Sequence, residues 1–361
     1  MDQVCLGEGF VPYHFSVIVQ ESEFKNVVTW AKSHQSECRE KGTCGQPATW
    51  LQKLEEHPAV LEVAAEGPYS SSVIPVAMGR FFGNCRSILM GWGGQGPMAE
   101  AIQEDLRSWD IDVRLSDRET TDSSVEISVR SESFAQHETV RLHPTSRTKQ
   151  IVRFRWPEDL SSEQVGLYFM TKLSEGRAQA GQRIFEAGGL CSLRISMFTR
   201  RRTPDEYFPV LPTFHHAVVS RKDMSATARA AKLSPPRGWP KSLDPTDPAL
   251  LQLADYLGTY ETKNHRLVIF NALDHSVFVV PGLRPVLVAP PPSYDKRTRT
   301  SRMQGAAGVC GLRYDNYVPS TQQELEEFAN TTIQAAYRGT ESRPSTYPTS
   351  DFQPVGSWIK E

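Results

Sequence analysis

The sequence predicts an α/β fold with a central, mainly parallel sheet and helices on both of its faces. The main observation is a repeated order of an apolar run, a glycine-containing connection and an amphipathic segment. This order occurs at residues 87–109 and again, as strand, helix and strand, at 165–197. Because parallel strands need a crossover between them, it indicates βαβ units with right-handed connections. A chain of 361 residues with 39% hydrophobic residues can bury the core of one such large domain.

The first 110 residues are predicted to begin with two strands, at 4–7 and 14–19, each a short apolar run. The polar stretch 24–52 is interpreted as an insertion of helical pieces around a solvated loop. An apolar segment that ends at glycine, 73–83, predicts a helix. Residues 87–94 form a strand that enters a glycine loop, and Pro97 opens the amphipathic helix that follows.

The middle of the chain is predicted to form a small accessory sheet. Residues 125–129 and 140–154 alternate apolar and polar side chains, as strands with one solvated face do. The βαβ pattern then resumes, and the remaining elements are a strand at 214–219, a Pro-rich exposed connector at 234–248, a helix at 250–257, strands at 267–270, 277–280 and 286–289, and a helix at 321–337.

Charge and composition limit the classes of partner. The 40 basic and 42 acidic residues leave a net charge of −2, which favours neither nucleic acid nor an anionic membrane surface. No run of about 20 apolar residues is long enough to cross a bilayer, and the first residues lack the pattern of a secretory signal. We therefore expect a cytoplasmic protein, without nucleic-acid or membrane partners, whose six cysteines are reduced structural thiols. Cys38 and Cys44 could pair across a short loop only in an oxidising compartment.

A run of small residues at 304–311 follows the last predicted strands and is interpreted as a phosphate-binding turn. Backbone N–H groups can converge on an anion where no side chain intervenes. The basic run at 296–302 directly precedes this turn and can neutralise phosphate charge. The predicted anion-binding residues are Gly305, Ala306, Ala307, Gly308, Arg302 and Lys296.

The predicted turn lacks a carboxylate. In enzymes that phosphorylate a hydroxyl group, a positioned Asp takes the proton and accelerates the reaction by about two to four orders of magnitude. Gly308 stands where such a residue is expected. The nearest downstream carboxylate is Asp315, seven positions further on, so Asp315 is the one candidate base that the sequence offers near the turn.

In order and spacing, these segments resemble the ribokinase-like, or PfkB-type, family of carbohydrate and nucleoside kinases. The signature Gly-Ala-Gly-Asp of that family is similar to residues 305–308, apart from the missing Asp. Its substrate-binding glycine turn resembles residues 66–71, and its second glycine loop resembles residues 89–95. The resemblance implies a three-layer sandwich with a small β lid formed around residues 125–154.

The same resemblance implies site residues and cofactors. It assigns Gly67, Ser71, Gly93 and Gly94 to substrate binding, and ATP with Mg²⁺ as cofactors. Its Asn-x-x-Glu motif, which organises water around magnesium, is similar to residues 220–223, so Asp223 is the expected metal residue. Residues 1–340 would form the ribokinase-like domain, and 341–361 a flexible tail.

Two functions follow as expectations. The first is a catalytically weak or inactive kinase homologue that binds a nucleotide or phosphorylated metabolite, and acts with a protein partner or as a homodimer through the lid. The second is an active ATP-dependent kinase of a small sugar- or nucleoside-like metabolite with a non-standard base such as Asp315. A hydrolase is disfavoured because no Gly-x-Ser-x-Gly segment is present. A nicotinamide enzyme is disfavoured because no acidic residue ends a neighbouring strand at the required distance from the glycines at 91–96.

Overall fold

The computed structural model describes residues 3–68, 73–92, 95–115, 122–133, 135–144, 156–171, 175–195, 208–237, 239, 243–261, 265–272, 275–289 and 300–338. Within these ranges the chain forms thirteen strands. In chain order they are β1 (Val4–Phe10), β2 (Tyr13–Val19), β3 (Val60–Gly67), β4 (Arg86–Trp92), β5 (Ile111–Leu115), β6 (Val125–Ser131), β7 (His137–Leu142), β8 (Val165–Met170), β9 (Leu190–Ile195), β10 (His216–Ser220), β11 (Leu267–Asn271), β12 (Ser276–Val279) and β13 (Val286–Val288).

Ten α-helices connect and cover these strands in the described ranges. They are α1 (Phe24–Ser33), α2 (Gln35–Lys41), α3 (Pro47–Glu55), α4 (Val73–Gly83), α5 (Pro97–Ser108), α6 (Glu175–Glu186), α7 (Arg221–Ala230), α8 (Pro248–Thr259), α9 (Thr300–Gly311) and α10 (Gln322–Arg338).

The central sheet has nine strands in the order β13-β12-β11-β10-β9-β8-β1-β4-β5. The seven strands from β11 to β5 are parallel, and β12 and β13 add to one side as an antiparallel pair. The predicted α/β class with a mainly parallel sheet is confirmed. All parallel strands end at the same edge of the sheet, which we call the carboxyl edge.

Helices pack on both faces of the central sheet, as the sequence predicts. One face is covered by α6, α7 and α8, and its core includes Tyr168, Leu193 and Phe270. The opposite face is covered by α4, α9 and α10, and its core includes Phe169 and Phe328. The side chains of each strand alternate between these two cores because successive residues of a strand point to opposite faces. The result is a three-layer sandwich.

A second sheet of four strands, in the order β3-β2-β6-β7, forms the lid sheet. Strands β6 and β7 confirm the accessory sheet: β6 covers the strand predicted at 125–129, and β7 overlaps the one predicted at 140–154 only at 140–142, while residues 145–155 lie outside the described ranges. The strand predicted at 14–19 exists as β2, but it joins the lid sheet and not the central one. Strand β3 is an edge strand that the sequence analysis did not predict.

The stretch predicted as a polar insertion, 24–52, forms helices α1 and α2 and most of α3. Val27, Trp50 and Leu54 of these helices are fully or almost fully buried in a core shared with Phe15 and Val17 of β2. The helices therefore cover one face of the lid sheet, and their many polar residues occupy the outer side. Cys38 and Cys44 belong to this core as free thiols.

Candidate functional site

Helix α9 places its first turn at the carboxyl edge of the central sheet. The side chain of Asn271, the last residue of β11, donates a hydrogen bond from Nδ2 to Thr300 Oγ1 at 3.3 Å. At the other end of the helix, Gly311 lies against His216, the first residue of β10. The helix thus runs antiparallel to the parallel strands, and its N-terminus lies where open α/β sheets bind their ligands.

The small residues Gly305, Ala306, Ala307 and Gly308 do not form a turn. They occupy the interior of α9, where every residue from 300 to 311 is buried. Because α-helical N–H groups bond to the carbonyl four residues earlier, these four amides are engaged within the helix. The prediction of a phosphate-binding turn at 305–308 is therefore wrong in its backbone conformation.

Close packing explains why these positions are small. A Cβ atom at Gly305 would lie 2.9 Å from the Cα of Pro75 in α4, and one at Gly308 would lie 2.5 Å from Cε1 of Phe169 in β8. Contacts of that length cannot be accommodated without movement of a neighbour. The glycines thus let α9 approach α4 on one side and the sheet on the other.

The first turn of α9 carries the polar groups that the small-residue run lacks. Thr300, Ser301 and Arg302 are 8%, 3% and 7% exposed, so all three are buried at the carboxyl edge. Because helical side chains lean towards the helix N-terminus, we expect the guanidinium of Arg302 on the side of the first N–H groups, which have no partner within the helix. Arg302 is the one predicted anion-binding residue that the structure brings to this place; Lys296 lies outside the described residues.

Close to this turn, in α9 and β9, two buried polar atoms have no hydrogen-bond partner among the described residues. Gln304 donates from Nε2 to the carbonyls of Met170 and Ser192, at 3.2 and 3.0 Å, while its Oε1 is unpaired. The Ser192 hydroxyl is also unpaired, and both residues are fully buried. Met170 is the last residue of β8, so these groups lie close to the carboxyl edge.

Asp223 lies at the same edge, in the first turn of α7. Its side chain is 2% exposed and accepts a hydrogen bond from Ser220 Oγ at 2.5 Å. Ser220 pairs with Asn271 in the register of β10 and β11, and Asn271 reaches Thr300. Asp223 and the first turn of α9 therefore contact the ends of two neighbouring strands, Asp223 at Ser220 and Thr300 at Asn271.

The metal-ligand groups at this site determine whether it can hold a magnesium ion. No group of three or more His, Cys, Asp or Glu side chains suited to a metal occurs among the described residues. Mg²⁺ is commonly held by one or two carboxylates together with water and the phosphates of a substrate. The single carboxylate of Asp223 fits that pattern only if a bound phosphate supplies further oxygens.

Asp315 lies at the opposite edge of the sheet. It is exposed, begins a 3₁₀ turn (Asp315–Tyr317) after the end of α9, and borders a cavity of about 330 Å³ between α9 and α10. The carbonyl of Tyr317 accepts a hydrogen bond from Nε2 of His216 at 2.8 Å, which fixes this turn beside the start of β10. The length of α9, about 17 Å for twelve residues, separates Asp315 from the first turn. Asp315 is therefore not placed to act as a base at the carboxyl edge, and that prediction is corrected.

Of the predicted substrate-binding residues, the structure describes Gly67 alone; Ser71, Gly93 and Gly94 lie outside the described residues. Gly67 ends β3 with a positive φ of 68°, and a Cβ atom there would lie 3.1 Å from Oδ2 of Asp105. Burial and the nearby charge of Glu104 raise the pKa of the Asp105 carboxyl, against the effect of a hydrogen bond from Tyr13. Burial, together with Asp105, raises the pKa of Tyr13 to about 12. Gly67 thus adjoins a half-buried contact between the lid sheet and α5.

Asp122, which no local sequence pattern indicates, binds the N-terminus of α5. Its carboxylate accepts hydrogen bonds from the N–H groups of Ala99, at 2.9 Å, and Met98, at 3.3 Å. Thr43 Oγ1 donates to it at 2.5 Å, and a Cβ atom at Gly96 would lie 2.6 Å from its Cγ. Asp122 is 1% exposed. The helix end that follows the second glycine loop is therefore occupied by a carboxylate of the chain itself.

The lid sheet carries a second unpredicted group of polar residues, His14, Glu66 and Glu126. His14 of β2 is 2% exposed, with Nε2 3.3 Å from a carboxylate oxygen of Glu66 and Nδ1 3.8 Å from one of Glu126. The three residues come from β2, β3 and β6, and they lie on the face opposite to the core with α1–α3. No local spacing signals them, because strand pairing brings them together.

The fold is similar to solved structures of kinases. Adenosine kinase from Schistosoma mansoni, in complex with adenosine, is 12% identical, with 98% of this chain and 99% of that chain covered and a TM-score of 0.67. Ribokinase from Thermotoga maritima is 10% identical with full coverage of both chains and a TM-score of 0.62. Ribokinase from Arabidopsis thaliana, complexed with ribose and ATP, is 12% identical, with 99% and 98% covered and a TM-score of 0.60.

The similarity to these structures confirms the ribokinase-like fold that the motifs predicted. No protein-family model matches the sequence, and no curated protein matches it. Identities of 10–12% show a shared fold and leave activity open. Within the described residues, no helix has the length and apolar character needed to cross a membrane.

Proposed function

We propose that this protein binds a nucleotide or a phosphorylated metabolite at the first turn of α9, as a catalytically weak or inactive relative of small-molecule kinases. The observation that carries the proposal is the buried triad of Thr300, Ser301 and Arg302 at the carboxyl edge. Hydroxyl, guanidinium and free helical N–H groups are all donors suited to phosphate. The similarity to structures that hold adenosine, or ribose and ATP, makes nucleosides, ribose and ATP the first ligands to test.

The proposed weak catalysis rests on the residues of α9 itself. A phosphoryl transfer to a hydroxyl group gains from a carboxylate that takes the proton. Helix α9 contains no Asp or Glu over its whole length, and Asp315 lies at its far end. Binding without efficient turnover is therefore the function that this arrangement supports best, in a protein that we expect to be cytoplasmic.

Binding is tested by calorimetry and thermal shift with ATP, ADP and pyrophosphate, each with and without Mg²⁺. Loss of one charged hydrogen-bond donor to phosphate costs about 1.5–3 kcal/mol, so Arg302→Met should weaken binding by roughly 10- to 150-fold. Arg302→Lys should recover part of the affinity. The matched control is Arg313→Met, because Arg313 is exposed beyond the other end of the same helix. Equal affinities of Arg302→Met and wild type, with both folded, would contradict the proposal.

A second candidate function is an active ATP-dependent kinase, and the observation in its favour is Asp223. Its carboxylate is buried at the same edge as the α9 turn, and its partner Ser220 is the register neighbour of Asn271, which reaches Thr300 of that turn. It could hold Mg²⁺ with the phosphates of ATP, as the resemblance to the Asn-x-x-Glu motif implies, or take a proton. Turnover of ATP with adenosine or ribose, lost in Asp223→Asn while nucleotide still binds, would support this function over the first.

Association of two copies through the lid remains part of the proposal. Strand β3 is one edge of the lid sheet, and its Leu61 is 51% exposed. An unpaired strand edge with an exposed large hydrophobic side chain is a common place for strand pairing. Light scattering of the wild type and of Leu61→Lys measures it: a dimer that Leu61→Lys dissociates is expected, and a wild-type monomer at all concentrations would exclude it.

A further inference from the structure

We propose that the cavity between α9 and α10 is a second ligand site, which binds a small organic cation, an amine with an apolar body. The cavity has a volume of about 330 Å³ and lies at the edge of the central sheet where the parallel strands begin. We call it the amino-edge cavity. Its volume is in the range of sites for small molecules. The length of α9 separates it from the anion site proposed above, so this inference is independent of that function.

The inner part of the amino-edge cavity is apolar and aromatic. Cys310 and Phe328 are 1% and 0% exposed, and Val318 and Thr331 are half-buried residues of the lining. The ring of Tyr314 lies against that of Phe328, with centroids 5.5 Å apart and planes tilted by 60°. Aromatic rings bury the carbon atoms of a ligand and attract a cation placed over their faces. This part of the cavity therefore suits the apolar body of an amine.

The exposed residues of the lining give the opening of the cavity an acidic character. They include the carboxylates of Asp315 and Glu327 and the guanidinium of Arg313. Among the residues that the structure describes, none of the three forms an ion pair. Two carboxylates against one guanidinium leave a net negative charge. The last carbonyls of α9, which carry the negative end of its dipole, add to this charge.

Glu324 also lines the cavity, but the beginning of α10 occupies its carboxylate. It accepts hydrogen bonds from the N–H group of Ser320 at 2.7 Å and from the Ser320 hydroxyl at 2.8 Å. It thereby compensates the positive N-terminus of α10, which would otherwise favour an anion. Burial raises the pKa of Tyr314 to about 12, and the charges of Glu327 and Glu324 add to this rise, against that of Arg313. The charges around the Tyr314 hydroxyl thus favour a cation.

The turn that carries Asp315 forms a fixed wall of the cavity. Its next residues, Asn316 and Tyr317, have φ values of 53° and 64°, which are uncommon for residues other than glycine. Such conformations persist where the surroundings impose them. Here His216 Nε2 donates to the Tyr317 carbonyl at 2.8 Å, and Tyr317 Oη donates to the carbonyl of Gly188 at 2.5 Å. The cavity is therefore formed before a ligand binds, and binding requires little ordering of the chain.

An amine contacts both parts of the cavity, whereas other ligands use only one. A neutral apolar molecule gains from the aromatic rings alone, and an anion is repelled by Asp315 and Glu327. An ammonium group near Glu327 and the Tyr314 ring, with its apolar body on Phe328, gains from the charge and from the rings. The chemical class that this lining selects is therefore a small apolar amine.

The first test compares three ligands of similar shape and different charge: 2-phenylethylamine, 2-phenylethanol and 3-phenylpropionate. Their affinities for the full chain are measured by ligand-observed NMR at constant ionic strength. From the usual strengths of an exposed cation–π contact and an exposed ion pair, the amine should bind about 3- to 30-fold more tightly than the alcohol. The propionate should bind more weakly than the alcohol. Equal affinities of the amine and the alcohol, or no binding of the amine at millimolar concentration, would overturn the proposal.

The second test locates the bound amine. Glu327→Gln should weaken the binding of 2-phenylethylamine by about two- to fivefold and leave that of 2-phenylethanol unchanged. The matched control is Glu326→Gln, which removes the same charge from a residue outside the lining, where Glu326 accepts from Gln322 Nε2 at 2.9 Å. An unchanged amine affinity in Glu327→Gln, or an equal loss in both variants, would refute the site. Arg302→Met should leave the amine affinity unchanged, so failure of this proposal is distinguishable from failure of the anion site; a loss in that variant would place the amine elsewhere.

Discussion

Substitution of Gly305 by Ala distinguishes a tightly packed helix from an open phosphate-binding turn. In a helix with free space, Ala is favoured over Gly by about 1 kcal/mol. Here the new Cβ would lie 2.9 Å from both the Pro75 Cα and the Met78 Sδ. The sulfur can move, but the Pro75 backbone can move only with α4. Separation of two packed helices by an added methyl group costs about 1–3 kcal/mol.

The net expectation for Gly305→Ala is a loss of up to about 2 kcal/mol in the free energy of unfolding, since the gain in helix propensity offsets part of the clash. The reverse substitution Ala307→Gly gives a matched test. It removes a fully buried methyl group, whose burial contributes about 0.8 kcal/mol, and it replaces Ala by Gly within a helix, which costs about 1 kcal/mol. Ala307→Gly should therefore also lower the free energy of unfolding, by about 2 kcal/mol.

Urea unfolding followed by circular dichroism measures both variants, and the midpoint is compared at a constant slope. If Gly305→Ala stabilised the protein by about 1 kcal/mol and Ala307→Gly were neutral, the residues would not be packed inside a helix, and the placement of the site at the first turn of α9 would fail with it. Destabilisation by both Gly305→Ala and Ala307→Gly is expected only if residues 305 and 307 are each packed closely against their neighbours.

Two further predictions concern stability. Asp122→Ala removes a buried carboxylate from the N-terminus of α5 and should lower the free energy of unfolding by about 1–3 kcal/mol. The control is Asp110→Asn, which removes a charge that is 80% exposed beside Arg80 and keeps a residue type that tolerates the φ of 56° at this position; it should cost less than about 1 kcal/mol in the same urea assay. Burial lowers the pKa of His216 to about 4, so the native state binds fewer protons than the unfolded chain between pH 4 and 6.5. Stability should fall as the pH is lowered through that range, by up to about 1.4 kcal/mol per pH unit from this residue, and His216→Gln should reduce the slope; a slope unchanged in that variant would contradict the assignment.

The elements of the central sheet could be predicted because their signals are local. Each parallel strand except β5 is a short apolar run bounded by polar or glycine residues, and helix α10 shows a clear amphipathic period at 322–338. Strand β5 alternates apolar and charged residues and was not predicted. Strand β6 of the lid sheet could be predicted from alternation, whereas β7 shares only residues 140–142 with the segment predicted at 140–154.

Helix α9 could not be predicted because it is buried on all sides. A helix with one solvated face has an apolar stripe, but a helix between α4, α10 and the sheet has none, and its glycines then resemble a turn. Strand β3 was missed for the opposite reason, since most of its residues are only partly buried. Asp122 and the cluster of His14, Glu66 and Glu126 depend on contacts between residues far apart in the chain.

The placement of carboxylates at the helix ends argues for α9 as the anion site. Helices α5, α6 and α7 follow β4, β8 and β10, so each begins on the carboxyl-edge side of the sheet. Each has an acidic residue at its beginning: Asp122 binds the end of α5, and Glu175 and Asp223 lie in the first turns of α6 and α7.

The first turn of α9 carries Arg302 and no acidic residue. A helix N-terminus has roughly half a positive charge, which a carboxylate in the same turn cancels and an arginine reinforces. An external anion at the carboxyl edge should therefore bind at the N-terminus of α9 and not at those of α5, α6 or α7. Arg302→Glu tests this directly. It should weaken phosphate binding more than Arg302→Met, because it places in the first turn of α9 a negative charge like those at the beginnings of the other three helices. Equal residual affinity in these two folded variants would show that the anion binds elsewhere.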